Sequence, residues 1–178
     1  MAHGDTSITI RSTEEDDWEA VRTLRLEMLR DTPLAYGETL ASAKLNVETD
    51  WRARARRGTD PHSASFAAID DATGRWIGTM GGFLVRPGDA HGDEAGPMLV
   101  GVYVTPAFRG SEHGVTDLLL AAVEHWATTE GTALTLHVHA ENPRAIAFYE
   151  RRGFERTGRT MPYTLEPYGI ELEMRKTL

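Results

Sequence analysis

Residues 134–154 read LTLHVHAENPRAIAFYERRGF. The first six alternate apolar with polar, the period of a strand with one buried face. From Asn142 the pattern changes to a short helix over 142–153, with Tyr149 beside Phe148 on its amphipathic surface. Taken alone, Tyr149 reads as a buried aromatic.

Upstream, residues 104–120 read VTPAFRGSEHGVTDLLL, a strand that turns through glycines into a helix. Exposed backbone N–H groups and the helix dipole make such a turn favourable for an anion, and glycine lets the backbone approach a phosphate closely. An ordinary turn into a helix is the alternative reading of the glycines alone, and Glu112 places a carboxylate in its middle.

The remaining elements follow outward from this pair. Residues 7–11 (SITIR) alternate as a strand, and Thr13-Glu-Glu-Asp16 reads as a capping box before a helix carrying Trp18, Val21, Leu24, Met28 and Leu29 on one face. Pro33 and Gly37 interrupt it, and a second helix with the basic end WRARARR is expected over 38–57. Residues 65–70 and 75–85 form a hairpin about Asp71-Ala-Thr-Gly74, and the apolar run 98–105 is a central fourth strand. The glycine-rich acidic loop 86–97 between them suits a solvated connection or a lid attracting a cationic amine. The helix over 114–130 presents Val115, Leu118, Leu119, Ala122, Val123 and Trp126, and two closing strands fall near 154–163 and 169–176.

Composition narrows the chemistry. The 178 residues fit one domain, 1–178, with 40% hydrophobic and 26% charged residues. No run approaches the ~18 apolar residues of a membrane span, and the N-terminus lacks the features of a secretory signal, so a cytoplasmic protein is expected. With no cysteine there is no disulfide, thiolate metal site or cysteine nucleophile. A net charge of -8 argues against a broad nucleic-acid-binding surface, but not against one phosphate-bearing ligand. His137 and His139 share one strand face without a clear third ligand, so no metal is expected. Neither a phosphate loop ending in Gly-Lys-Ser/Thr nor a dinucleotide glycine fingerprint is present.

With VYVTPAFRG and ENPRAIAFYERRGF in view, the chain resembles the GCN5-related N-acetyltransferase superfamily along nearly its whole length. The resemblance implies a mixed α/β sheet of about seven strands with four helices, in the order β-α-α-β-β-β-α-β-α-β-β. It implies acetyl-CoA as acyl donor, a small-molecule or peptide amine as acceptor and, often, a homodimer. Val102, Tyr103 and Val104 correspond to strand positions whose backbone groups pair with the pantetheine arm, and Gly101 suits a bulge there. Arg109, Gly110, Gly114, Val115 and Thr116 correspond to the pyrophosphate cradle, and Asn142 binds the cofactor or helps place it. Tyr149 matches the phenol that protonates the departing thiolate. Tyr36 and Glu38 lie where relatives shape the acceptor pocket.

Two departures stand out. Without a gap, Glu112 occupies a cradle glycine position and Asp117 falls on a core leucine; with a two-residue insertion among Ser111, Glu112 and His113, Leu119-Leu120 become the core pair instead. Helical periodicity favours the insertion. Met98 stands where many relatives place a glutamate base, leaving Asp93, Glu94 or water for that role. A non-catalytic acyl-CoA sensor or partner-binding module on the same fold is the alternative function.

Overall fold

The computed structural model describes residues 7–89, 94–110, 112–165 and 168–178. Among these, the elements run β1 (Ile8–Ser12), α1 (Trp18–Asp31), α2 (Leu40–Ala43), α3 (Glu48–Arg56), β2 (Ser63–Asp70), β3 (Arg75–Val85), β4 (Gly96–Val104), α4 (Val115–Glu130), β5 (Ala133–His139), α5 (Pro143–Glu150), β6 (Glu155–Tyr163) and β7 (Gly169–Thr177). They build a seven-stranded mixed sheet of order β1-β2-β3-β4-β5-β7-β6. Among the described residues β4 and β5 pair in parallel, joined by the crossover helix α4, and the other neighbouring strands pair antiparallel, β1 and β2 among them although three helices connect them.

The sheet carries a layer on each face. Leu134, Leu136 and Val138 of β5 and Met174 of β7 pack with Val115, Leu119, Leu120 and Val123 of α4 and with Ile146 and Tyr149 of α5. A second cluster joins Leu24, Met28 and Leu29 of α1 to Trp51 of α3, Tyr36 and Tyr103. The β2–β3 turn forms as its residues dictate: the Asp70 carboxylate accepts from the Thr73 hydroxyl at 2.6 Å and from the Ala72 N–H at 3.2 Å.

Local details correct the sequence reading in three places. The expected helix over 38–57 is two helices, since Thr39 caps the single turn of α2 and the Asp50 carboxylate accepts from the Val47 N–H at 2.9 Å to start α3 afresh. The count is therefore five helices rather than four. The capping box is displaced by one residue: the Glu14 N–H donates to Asp17, whereas the buried Thr13 hydroxyl donates to the Ala55 carbonyl at 2.6 Å and ties β1 to α3. On α4, Leu118 is exposed while Leu120 and Ala127 are buried, so the apolar stripe is rotated from the expected face.

Candidate active site

The sheet opens at its centre. Thr79 pairs with Tyr103 but Gly81 pairs with Val100, so Gly101 and Val102 together stand opposite Met80 as a β-bulge. Gly101 adopts φ +64, a conformation glycine reaches without strain. Met98 registers with Thr135, and no later residue of β4 registers with β5. The end of β4 and the end of β5 thus diverge into a notch whose edge carries backbone polar groups released from the ladder.

Side chains from the α1 side of the sheet close around this notch. The Tyr36 hydroxyl donates to the Val102 carbonyl at 2.8 Å, and the Tyr163 hydroxyl donates to the Tyr36 carbonyl at 3.0 Å. Burial pushes the Tyr36 phenol up to about 12, against smaller opposing effects from Thr32 and from the charges of Arg25 and Arg109. Tyr103 faces the same way; its hydroxyl donates to Glu27 at 3.1 Å, and burial together with the Glu27 charge raises its pKa. Tyr103 therefore offers the notch only its backbone.

Beyond β4 the chain makes a one-turn helix over Pro106–Phe108, and Gly114, at φ +62, forms the N-cap of α4. No side chain caps that terminus, which leaves the first-turn N–H groups of Val115 and Thr116 without intrahelical partners. Gly110, at φ +101, and Gly114 both have no atom within 4 Å of where a Cβ would stand. Arg109 turns back: its Nε donates to the Val104 carbonyl at 2.7 Å, and its guanidinium pairs with Asp31 and lies 5.4 Å from the Tyr103 ring. It clamps the turn to α1. Glu112 is exposed, the His113 ring lies 5.3 Å from that of Phe108, and Ser111 is outside the described residues. Asp117 is largely exposed and paired with Arg152 at 2.5 Å, whereas Leu119 and Leu120 are buried. The ungapped alignment, which would bury Asp117, does not describe this helix.

On α5, Asn142 is the N-cap, its side chain accepting from the Ala145 N–H at 3.2 Å. It fixes the start of the helix whose last turn carries Tyr149. The Tyr149 ring lies edge-on to Phe148 and Phe154, at 5.3 and 5.5 Å. Its hydroxyl makes no hydrogen bond among the described residues. Burial, with a smaller effect from Tyr36, raises its pKa, so the phenol keeps its proton at neutral pH.

The other expected residues are engaged with neighbouring groups or buried. Glu38 is held by Arg25 at 2.7 Å and Arg54 at 3.1 Å; burial opposes its charge, but these cations outweigh that and lower its pKa. Glu94 pairs with Arg175 beside the start of β4, seven residues and roughly 20 Å of strand from the bulge, and Asp93 lies outside the described residues. Met98 is buried. No group of three metal-ligating side chains occurs among the described residues, and no helix among them is long and apolar enough to cross a membrane. The sequence reading passed over Tyr163 and Glu171, whose only sequence signal is membership of a closing strand; the β6–β7 pairing puts them on one face, and Tyr163 reaches the notch through the Tyr36 carbonyl.

A bulged central strand, a splayed parallel pair and an uncapped helix following the bulge define the acyl-CoA N-acyltransferase type of fold. The acetyltransferase (GNAT) family model matches residues 18–154, and the chain belongs to that family. It is 32% identical over 108 residues to the aminoglycoside N(6')-acetyltransferase type 1 of Salmonella typhimurium strain LT2, an alignment covering 57% of this chain and 69% of that one. Among solved structures, a ribosomal-protein-alanine N-acetyltransferase from Brucella melitensis superimposes with a TM-score of 0.73 at 23% identity, covering 96% of this chain and 99% of the other. An N-acetyltransferase from Thermoplasma acidophilum in complex with coenzyme A gives 0.64 at 18% identity, covering 97% and 99%.

Proposed function

We propose that this protein transfers the acetyl group of acetyl-CoA to a primary amine by direct attack in a ternary complex. The observation that carries the reading is the Tyr149 hydroxyl: nearly buried, protonated, bonded to none of the described residues, and within electrostatic reach of Tyr36, which holds the Val102 carbonyl of the opened β4. A phenol serving only the core would normally find a partner.

The residues suit the donor substrate. The uncapped N–H groups of Val115 and Thr116, with Gly110 and Gly114 open above them, are where the pyrophosphate would sit. Backbone groups of Val102, Tyr103 and Val104 would align the pantetheine arm, each carbonyl already holding one donor retaining a second lone pair. Arg109 contributes by fixing the turn through Asp31, and Asn142 by fixing α5. Backbone N–H groups at the bulge stabilise charge developing on the thioester oxygen, and Tyr149 gives its proton to the departing thiolate. Tyr36 shapes the acceptor side of the notch, whereas Glu38 holds the α1–α3 pair together.

Thiol release should be measured across an amine panel beginning with aminoglycosides, the acceptors named for the relative from Salmonella, alongside calorimetric titration with acetyl-CoA. Release with at least one amine is expected. Cofactor binding with no release from any acceptor would favour the sensor.

A further inference from the structure

We infer that Glu171, with His139 beside it, forms the subsite that receives the acceptor's protonated amine, and that the Glu171 carboxylate takes the proton that frees the amine to attack. This rests on the transferase reading and supplies the acceptor side it lacks.

Placement comes from the strand register. His139 pairs with Glu171 and His137 with Glu173 across β5 and β7, and paired residues of antiparallel strands share a face. Their sequence neighbours Leu136, Val138 and Met174 lie in the core beneath α4 and α5, so these four residues occupy the opposite face, the side of Tyr36. Tyr163 of β6 links them to the notch: its ring meets His139 edge-on at 4.9 Å, and its hydroxyl holds the carbonyl of Tyr36, whose own hydroxyl reaches Val102 at the bulge. The subsite is thus linked through two tyrosines, Tyr163 and Tyr36, to the strand edge that would hold the thioester.

Availability separates the two carboxylates. Glu173 is buried, accepts from the Thr157 hydroxyl at 2.9 Å, and lies 3.7 Å from His137 and 3.9 Å from Arg159. Glu171 is only half-buried and makes no hydrogen bond or ion pair among the described residues. His139 is 4% exposed; its Nδ1 accepts from the Glu141 N–H at 3.1 Å, which assigns the proton to Nε2. That buried N–H has no hydrogen-bond partner among the described residues. It lies against Gly169 at the start of β7, 3.0 Å from where a Cβ would stand, two residues from Glu171. Carboxylate and unsatisfied donor together suit an amine carrying a neighbouring oxygen acceptor, as in an amino sugar or amino alcohol.

Burial raises the Glu171 pKa, and electrostatic effects from the neighbouring His137 and His139 pull it back only in part. The groups around it are His137 and His139 from β5, Tyr163 and Arg159 from β6, Glu173 on its own strand, and Tyr36. A carboxylate so raised holds an ammonium as its partner and accepts one of its protons more readily than an exposed glutamate does. The neutral amine then forms its bond to the thioester carbon, and the carbon–sulfur bond breaks. Tyr149 protonates the thiolate and recovers a proton from the new amide nitrogen, while the proton on Glu171 passes to solvent.

The test compares wild type with Glu171→Gln by calorimetry, titrating an aminoglycoside and, separately, spermidine into the full chain saturated with coenzyme A. At least tenfold weaker amine binding is expected in the variant, with coenzyme A affinity within twofold. Equal amine binding by both proteins, or no binding of either amine to wild type, overturns the subsite. In the acetyl-CoA assay, turnover of the variant should fall at least a hundredfold, and the acid limb of the wild-type pH–rate profile should disappear; turnover within threefold overturns the proton-transfer role. A wild type that binds amine through Glu171 yet releases no thiol would refute the transferase reading and leave the subsite standing.

Discussion

Removing one oxygen atom, as in Tyr149→Phe, separates catalysis from stability in this site. The hydroxyl makes no hydrogen bond among the described residues, so its loss leaves no protein group unsatisfied. The ring contacts to Phe148 and Phe154 survive the change, and folding stability should move by no more than about 0.5 kcal/mol. Positioned proton donors contribute on the order of 10²–10⁴ in rate, which is roughly 2.7–5.4 kcal/mol of transition-state stabilisation at about 1.36 per decade. Burial keeps the phenol protonated throughout the neutral range, so the loss should be flat with pH between about 6 and 9. The assay is steady-state thiol release at saturating acetyl-CoA, with calorimetry for cofactor affinity and thermal unfolding for stability. We expect kcat to fall at least a hundredfold, affinity to stay within twofold, and Tm to stay within about 2 °C. Turnover within threefold of wild type would refute the assignment; a Tm loss above about 5 °C would show that the hydroxyl serves the fold.

Gly114→Ala should cost about 1 kcal/mol in thermal or denaturant unfolding, because a side chain disfavours φ +62 even though no atom lies within 4 Å; Gly114→Asn should cost less, and equal losses would argue against a left-handed cap. Glu38→Gln should cost about 1–3 kcal/mol by leaving Arg25 and Arg54 to face each other. Because the folded pKa of Glu38 is lowered, its contribution is complete above the ordinary glutamate value of about 4.3 and is lost as pH falls through the folded value; a wild-type advantage that grew on acidification would contradict this. Glu112→Gly should leave coenzyme A affinity within threefold, since a carboxylate 4 Å from a phosphate would cost roughly 1 kcal/mol in water and about 4 at an effective dielectric near 20. Severalfold tighter binding would show that Glu112 faces the phosphates.

Periodicity made the framework legible. The third strand, 75–85, has the bounds that alternation and its flanking turns assign it, and the bulge at Gly101 follows from a glycine inside an otherwise apolar strand. Asp117 shows how far pattern reasoning reaches: its charge among leucines argued for an insertion, and its exposed pairing with Arg152 agrees. What stayed hidden depends on residues distant in sequence. Nothing near Glu38 reveals Arg25 and Arg54, nothing near Arg109 reveals Asp31, and Thr13 resembles a cap until Ala55 is seen above it. Leu118 belongs to the helical stripe by spacing, but it stands on the exposed side because the sheet packs against Val115, Leu119, Leu120 and Val123 instead.

Those long-range contacts also explain why donor and acceptor sides of this notch should not vary independently. Three polar ties run from α1 and the turn after it to the last residues of β4: Glu27 to the Tyr103 hydroxyl, Asp31 through Arg109 to the Val104 carbonyl, and Tyr36 to the Val102 carbonyl. The strand backbone proposed to align the thioester is therefore held by side chains from the segment proposed to shape the acceptor pocket. Tyr163 extends the same lattice to β6, and through His139 to Glu171. A substitution in the Pro33–Ala35 turn that retunes acceptor size would shift Tyr36, and with it the Val102 carbonyl. Changes of acceptor preference should consequently alter kcat as well as acceptor KM, because the backbone proposed to position the thioester would move with the proposed wall of the amine pocket.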